Sequence, residues 1–337
     1  MRVLVTGGTG YVGSHIVVAL VREGHTVRLL VRRPEQVAET FAPYDLTFGP
    51  HDVVTGDVLD ADSVRAALDG CDAVVHAAAI FSLDPRKAQA MLDTNATATR
   101  IVLGEALARG CDPAVHVSSS VALMRHGGSG PDLPLGDIEH AYSRSKVLSE
   151  IEARKHQDGG RPVVTVYPGA IYGPGDPYVG SQTERFLWVV RGWFPLWSKG
   201  GVHATDVRDT ADVVAAVMEK GRGPRRYVVP GIHMTGDDLY GAVSRAIGRR
   251  RFHLDLPARL GLWSSRLVDT VQARLPARVH YPADSEGAEM AVRDTRLDDT
   301  PARRDLGITP VPFDRSVRDE IAWAVDAGHL PERYRPR

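Results

Sequence analysis

The sequence predicts an α/β protein: a doubly wound parallel sheet with a smaller C-terminal lobe. Three observations predict it. Short strands and helices alternate through the first half of the chain. The strands are apolar on consecutive positions, as in a sheet covered on both faces. Four glycines, Gly7, Gly8, Gly10 and Gly13, stand between the first strand and the first helix.

The elements follow in order. RVLVT (2–6) reads as a strand, and Val12, Ile16, Val17 and Leu20 then recur at helical spacing until Gly24 ends the helix. HTVRLLV (25–31) is the second strand, DVVTGD (52–57) ends the third, and 61–70 is a short helix closed by glycine. DAVVHAAA (72–79) and AVHVSSS (114–120) are strands on either side of a long helix over 86–109. A helix over 140–156 leads to strand PVVTVYP (162–168). Beyond 170 the alternation loosens into a helix at 180–191, a strand at 202–206, a helix at 209–220, strand 225–231 and helix 236–248.

The formal net charge of −1 gives no electrostatic case for nucleic-acid binding. Cys71 and Cys111 lie in no metal or redox spacing and read as small apolar residues in a reducing compartment. No metal site is expected. The first apolar run is broken by glycines and lacks the pattern of a secretory signal, and no stretch is long enough to span a membrane. The expectation is a cytoplasmic protein.

Glycines at a strand-to-helix turn let backbone approach a ligand, and the helix N-terminus then faces a pyrophosphate with N–H groups and positive charge. Gly7, Gly10 and Gly13 lie three apart, and 8–13 also fits G-x-G-x-x-G. Thr9, Tyr11 and Val12 complete the turn. The second strand ends in Val31-Arg32-Arg33-Pro34 rather than in an acid. Arginine there suits the extra phosphate of NADP, so NADP(H) is expected over NAD(H). Asp57 and Val58, closing the third strand, are placed at the adenine; as a turn residue Asp57 would look the same.

Tyr142 and Lys146 stand four residues apart on one helix face, and no other of the ten tyrosines has lysine at +4. A phenol with pKa near 10 is a poor acid or base at neutral pH, and an adjacent ammonium brings it toward the working range. Ser118, Ser119 and Ser120 end the preceding strand, where a hydroxyl can donate to a substrate oxygen. Asn95 is polar in a segment that otherwise reads as buried.

These pieces resemble the extended short-chain dehydrogenases/reductases. The resemblance rests on TGGTGYVG, GDV at 56–58, VVHAAA at 74–79, TNATATRIVLGEAL at 94–107, VSSSVA at 117–122, YSRSK at 142–146, YPGAIYGPG at 167–175, VRDTADVVAAVM at 207–218 and DTRLDDTPARRDLGI at 294–308. It implies a Rossmann-type domain over 1–170 and a substrate-binding lobe over most of 171–330, with parts returning to the sheet. By position it implies Ser120 as the hydroxyl that polarises a carbonyl and Tyr142 as the acid/base. Lys146 would hold the nicotinamide ribose, and Asn95 would anchor the proton relay. Ala77, Ala78, Ala79, Ser118, Tyr167, Pro168, Gly169 and Ala170 would line the cofactor with Tyr142 and Lys146.

Within that family, 4,6-dehydratases carry Asp-Glu after the catalytic hydroxyl, where this chain has Val121 and Ala122. Sugar-nucleotide epimerases have asparagine before Tyr-Gly-Pro and an acidic end to the second strand; here stand Ala170 and Arg32. The motifs look more like dihydroflavonol reductases and 3β-hydroxysteroid dehydrogenase-like proteins. The expected function is hydride transfer between NADP(H) and a hydrophobic ketone or secondary alcohol. An NAD-dependent sugar-nucleotide epimerase and a non-catalytic NADP-binding regulator are the alternatives. Trp188, Trp193 and Trp197 are expected near the pocket mouth. The amphipathic stretch 259–275 reads as a lobe helix packed on the core, with contact to a membrane surface as the other reading. A homodimer stays open.

Overall fold

The computed structural model describes every residue except 82–87, 126–132, 273 and 275–283. Twelve strands are described: β1 (Arg2–Thr6), β2 (Thr26–Val31), β3 (Val53–Thr55), β4 (Ala73–His76), β5 (Ala114–Val117), β6 (Val163–Tyr167), β7 (Ala170–Tyr172), β8 (Leu196–Ser198), β9 (Gly201–Asp206), β10 (Arg225–Val228), β11 (Ile232–Thr235) and β12 (Leu254–Leu256). The helices of the first half are α1 (Tyr11–Arg22), α2 (Glu35–Phe41), α3 (Ala61–Ala67), α4 (Ala88–Ala108) and α5 (Ala141–Asp158). Those of the second are α6 (Ser181–Arg191), α7 (Val207–Ala216), α8 (Gly236–Ile247), α9 (Ala258–Gln272), α10 (Ser285–Arg293), α11 (Thr300–Leu306) and α12 (Phe313–Asp326).

Seven strands form one sheet in the order β10-β6-β5-β4-β1-β2-β3, every neighbouring pair parallel. β1 explains why apolar positions run consecutively. Val3 and Val5 enter the core shared with Ile16 and Leu20 of α1 and Val213 and Val214 of α7. Leu4 points the other way, into the core with Val64 of α3 and Val102 and Leu103 of α4. After β3 the chain crosses back to β4 on the other side of β1, so strand order reverses there. The crevice at the C-terminal ends of β1 and β4 is where such sheets take ligands.

Three strands end three residues earlier than expected, the 225–231 strand stopping at Val228. The 72–79 strand ends at His76, where Ala77 and Ala78 turn back to bond to Thr6. The 114–120 strand ends at Val117, because the Ser119 hydroxyl caps a 3₁₀ turn over Ser120–Leu123. Beyond 170, β10 joins the main sheet beside β6, while β7, β9 and β11 form a three-stranded sheet and β8 pairs with β12. A second core lies there, from Phe186, Leu187 and Val190 of α6, Leu239, Tyr240 and Val243 of α8 and Val317 and Ile321 of α12. The start of the expected 86–109 helix lies outside the described residues.

Candidate active site

The crevice is built around the glycine turn. Gly7 has φ +73°, and a Cβ on it would lie 2.6 Å from the Ala78 backbone nitrogen. A Cβ on Gly13 would lie 2.0 Å from the Gly7 carbonyl oxygen. These two glycines let α1 and the loop after β4 close on the turn. Gly10 donates its N–H to Gly7 O at 3.0 Å and is the N-cap of α1, with no side chain over the helix end and no acid in the first turn. No acid of its own first turn competes there for an anion. Gly8 differs: its Cβ would strike Leu29 at 2.6 Å, so its bareness serves packing. Of the two overlapping glycine patterns, the one spaced by three shapes the turn.

Thr9, Tyr11 and Val12 lie on this turn, the Tyr11 hydroxyl donating to Gly173 O. Arg32 and Arg33 are exposed just past β2 and form no ion pair among the described residues. Register pairs Val31 with Thr55, so Arg32 stands at the same sheet edge as Asp57 and Val58. Asp57 Oδ1 accepts from Leu59 N–H at 2.9 Å, leaving its second oxygen for a ligand. Ala77 donates to Thr6 O at 3.1 Å, and Ala78 and Ala79 follow it along the crevice.

At the reacting end, Lys146 is buried and donates to Val117 O at 3.3 Å. Burial pulls its pKa down to about 8. Tyr142 is pushed up to about 12, first by burial; the Ser119 hydroxyl bonds to it and pulls down, and Glu286 pushes up. The expected lowering of the phenol by Lys146 is therefore not what this geometry gives, because desolvation dominates. The Tyr142 ring meets Phe81 edge-on at 4.7 Å and packs with Val121, Met124, Ile138 and Met290. The Ser119 hydroxyl thus acts on the phenol, and Ser120 donates its N–H to Pro168 O at 2.8 Å. Ser118 is buried, and its hydroxyl has no hydrogen-bond partner among the described residues.

Asn95 does not reach Tyr142 or Lys146 directly. Its Oδ1 accepts from Ile80 N–H at 2.8 Å, and its Nδ2 donates to Ile80 O at 3.0 Å and Ser145 Oγ at 2.9 Å. It clamps the loop after β4 to α5. The Tyr167 side chain also lies away from the crevice: its hydroxyl donates to Glu150 at 2.6 Å inside the core. Only the backbone of 167–170 faces the neighbouring strands, with Gly169 N–H donating to Thr205 Oγ1 at 3.2 Å and Ala170 paired to Ala204. Of the tryptophans, Trp197 packs against the lobe core and donates to Gly200 O, while Trp193 is exposed and meets Trp188 edge-on. The wall beside the phenol is instead made by Phe81, Val121, Met124, Ile138 and Met290.

Two features have no signal in the sequence. His76 and His116 stack at 5.9 Å beneath α5, and burial with the nearby Lys146 pushes His76 down to about 3. Glu286 of α10 accepts from both Ser143 N–H and Ser143 Oγ at 2.6 Å. It caps the first turn of α5 from 143 residues away and puts a buried carboxylate near the phenol. Glu286→Gln keeps an acceptor for Ser143 but removes the charge. The phenol pKa then falls, so alcohol oxidation at pH 9, below that pKa, is expected to be faster than in the parent. Slower oxidation with unchanged thermal stability would contradict the electrostatic role.

A model of the NAD-dependent epimerase/dehydratase family matches residues 3–229. The chain belongs to that family, and it is an NAD(P)-dependent oxidoreductase. It is 29% identical over 334 residues to sterol demethylase protein B of Methylococcus capsulatus, covering 98% of this chain and 100% of that one. It is 33% identical over 188 residues to a 3β-hydroxysteroid dehydrogenase/Δ5→4-isomerase of Mycobacterium tuberculosis, covering 52% and 48%. The crystal structure of gox2253 superposes with TM-score 0.81 at 26% identity, covering 98% of this chain and 99% of that one.

Proposed function

We propose that the protein is an NADP(H)-dependent reductase and alcohol dehydrogenase acting on a hydrophobic ketone or secondary alcohol. The observation that carries the reading is the Tyr142 phenol, four residues before a buried Lys146 and walled by apolar side chains. The bare glycine turn fits a dinucleotide, since side chains at Gly7 or Gly13 would fill the space. Gly7, Gly10 and Gly13 hold the pyrophosphate, Arg32 and Arg33 the 2′-phosphate, and Asp57 and Val58 the adenine. Ala77–Ala79 and the 167–170 backbone line the nicotinamide side. When bound, the cofactor supplies or accepts the hydride.

Tyr142 gives its proton to the substrate oxygen on reduction and takes it back on oxidation. Ser120 holds that oxygen, and Ser119 orients the phenol. Lys146 holds the nicotinamide ribose. Asn95 fixes the loop and helix between which the substrate sits. Residues 1–170 take the cofactor, and most of 171–330 shapes the substrate pocket. The relatives named for sterol and steroid chemistry support an apolar substrate. Val121 and Ala122 leave no acid and base for elimination. Free Cys71 and Cys111 fit a reducing, cytoplasmic setting.

The experiment is a paired measurement of kcat/KM with NADPH on bulky apolar ketones and on sugar nucleotides. Turnover of apolar ketones is expected. Conversion of sugar nucleotides alone would make the protein an epimerase.

A further inference from the structure

Helix α9 sits the wrong way round for a core helix. Its buried positions are the small residues Gly261 and Ser265. Gly261 lets the helix lie against β8, because a Cβ there would come 2.5 Å from Ser198 Oγ. The large apolar side chains Leu260, Trp263, Leu267 and Val271 fall at i, i+3, i+7 and i+11, on one stripe, and all four are exposed, Trp263 by 63%. Phe252, 67% exposed, and Leu254 lie on the segment leading into the helix, and Leu196 pairs with Leu254 across β8 and β12. Most of the large exposed apolar side chains of the described residues gather in this region. Such a concentration in a water-facing surface marks a contact site.

The charge around it selects the partner. Residues 249–274 carry six arginines and two aspartates in a chain whose net charge is −1. Arg249 and Arg250 precede Phe252, and exposed Arg259 and Arg266 flank the stripe on one side. Of the two aspartates, Asp269 is taken up inside the lobe, accepting from Ser285 N–H at 3.0 Å. An apolar stripe with tryptophan and a border of arginine is the pattern of a helix lying in a lipid interface. No described helix is long and apolar enough to cross a membrane.

We propose that the face formed by α9 and the segment from Phe252 to Leu254 docks the protein on an anionic phospholipid surface. The apolar stripe enters the headgroup boundary, and the arginines meet the lipid phosphates. The expected packing of 259–275 holds for the face that carries Gly261 and Ser265, with Leu262 and Val268 half-buried; 273 and 275 lie outside the described residues. The docked face belongs to the lobe that reaches the active site, since α10 bonds to α9 through Ser285 and to α5 through Glu286. The proposal does not depend on the substrate reading, because its test needs neither substrate nor cofactor.

The test is flotation of the full chain with vesicles of phosphatidylcholine alone and of equal parts phosphatidylcholine and phosphatidylglycerol. Flotation with the anionic vesicles is expected, weakened at least tenfold by raised salt and by omitting phosphatidylglycerol. Trp263→Ser with Leu267→Ser should lower vesicle affinity at least tenfold while the thermal midpoint stays near that of the parent. Arg259→Gln with Arg266→Gln should remove the preference for anionic lipid and keep the fold, which guards against misfolding of the first variant. Absence of flotation with either vesicle, or flotation of the serine variant equal to the parent, overturns the proposal. So does a parent dimer in light scattering that the serine variant makes monomeric, with no lipid binding by either.

Discussion

Tyr142→Phe is expected to lower turnover by about 100- to 10,000-fold, the range for loss of a positioned proton donor. The dissociation constant of NADPH should stay within a few-fold of the parent. The substitution removes one oxygen and leaves the ring, which keeps its edge-on contact with Phe81 and its packing on Val121, Met124, Ile138 and Met290. Ser119 still accepts from Val121 N–H, so the 3₁₀ turn holds. A change confined to kcat is the mark of an interaction made in the transition state. Rapid-kinetic and fluorescence titrations separate the two quantities. Turnover near that of the parent would remove Tyr142 from the acid/base role.

Replacing Arg32 and Arg33 together by serine should erase a preference for NADP(H) over NAD(H) that is at least tenfold in the parent, about 1.4 kcal/mol. Both guanidiniums are exposed at the end of β2 and form no ion pair among the described residues. Each can therefore turn to a phosphate without breaking a bond, and a planar fork meets phosphate at two points. No acid stands at the end of the strand to take a ribose hydroxyl. Paired titrations of NADPH and NADH read the effect. Equal affinity for both cofactors in the unmodified protein would show that the arginines are ordinary surface charges.

The parallel sheet was legible because its evidence is local: consecutive apolar positions in β1, β4 and β6, and the glycines Gly24 and Gly70 that follow α1 and α3. The glycine turn was legible for the same reason, although only the structure shows that Gly8 serves packing on Leu29 while Gly7 and Gly13 meet backbone. Tyr142 and Lys146 lie on one helix, so their spacing carried them. The missed features depend on contacts between distant segments. Glu286 reaches Ser143 from α10, and nothing near either residue signals it. His76 and His116 meet because β4 and β5 align them in register, a match that no local pattern encodes. Tyr167 belongs to a run expected to line the cofactor, but its side chain is buried against Glu150. The amphipathic pattern of α9 was visible, whereas the side facing the protein was not: a hydrophobic stripe tells that a face is apolar, not what covers it.

The central claim is net hydride delivery to a hydrophobic carbonyl. The most direct measurement follows the label: the enzyme is incubated with NADPH deuterated at C4 on either face and with a bulky apolar ketone, and the product alcohol is analysed by mass spectrometry. The account predicts one deuterium on the carbinol carbon from one labelled face only, with one NADPH consumed per product. An unlabelled product, or no product from any apolar ketone while a sugar nucleotide is inverted without NADPH consumption, would contradict it.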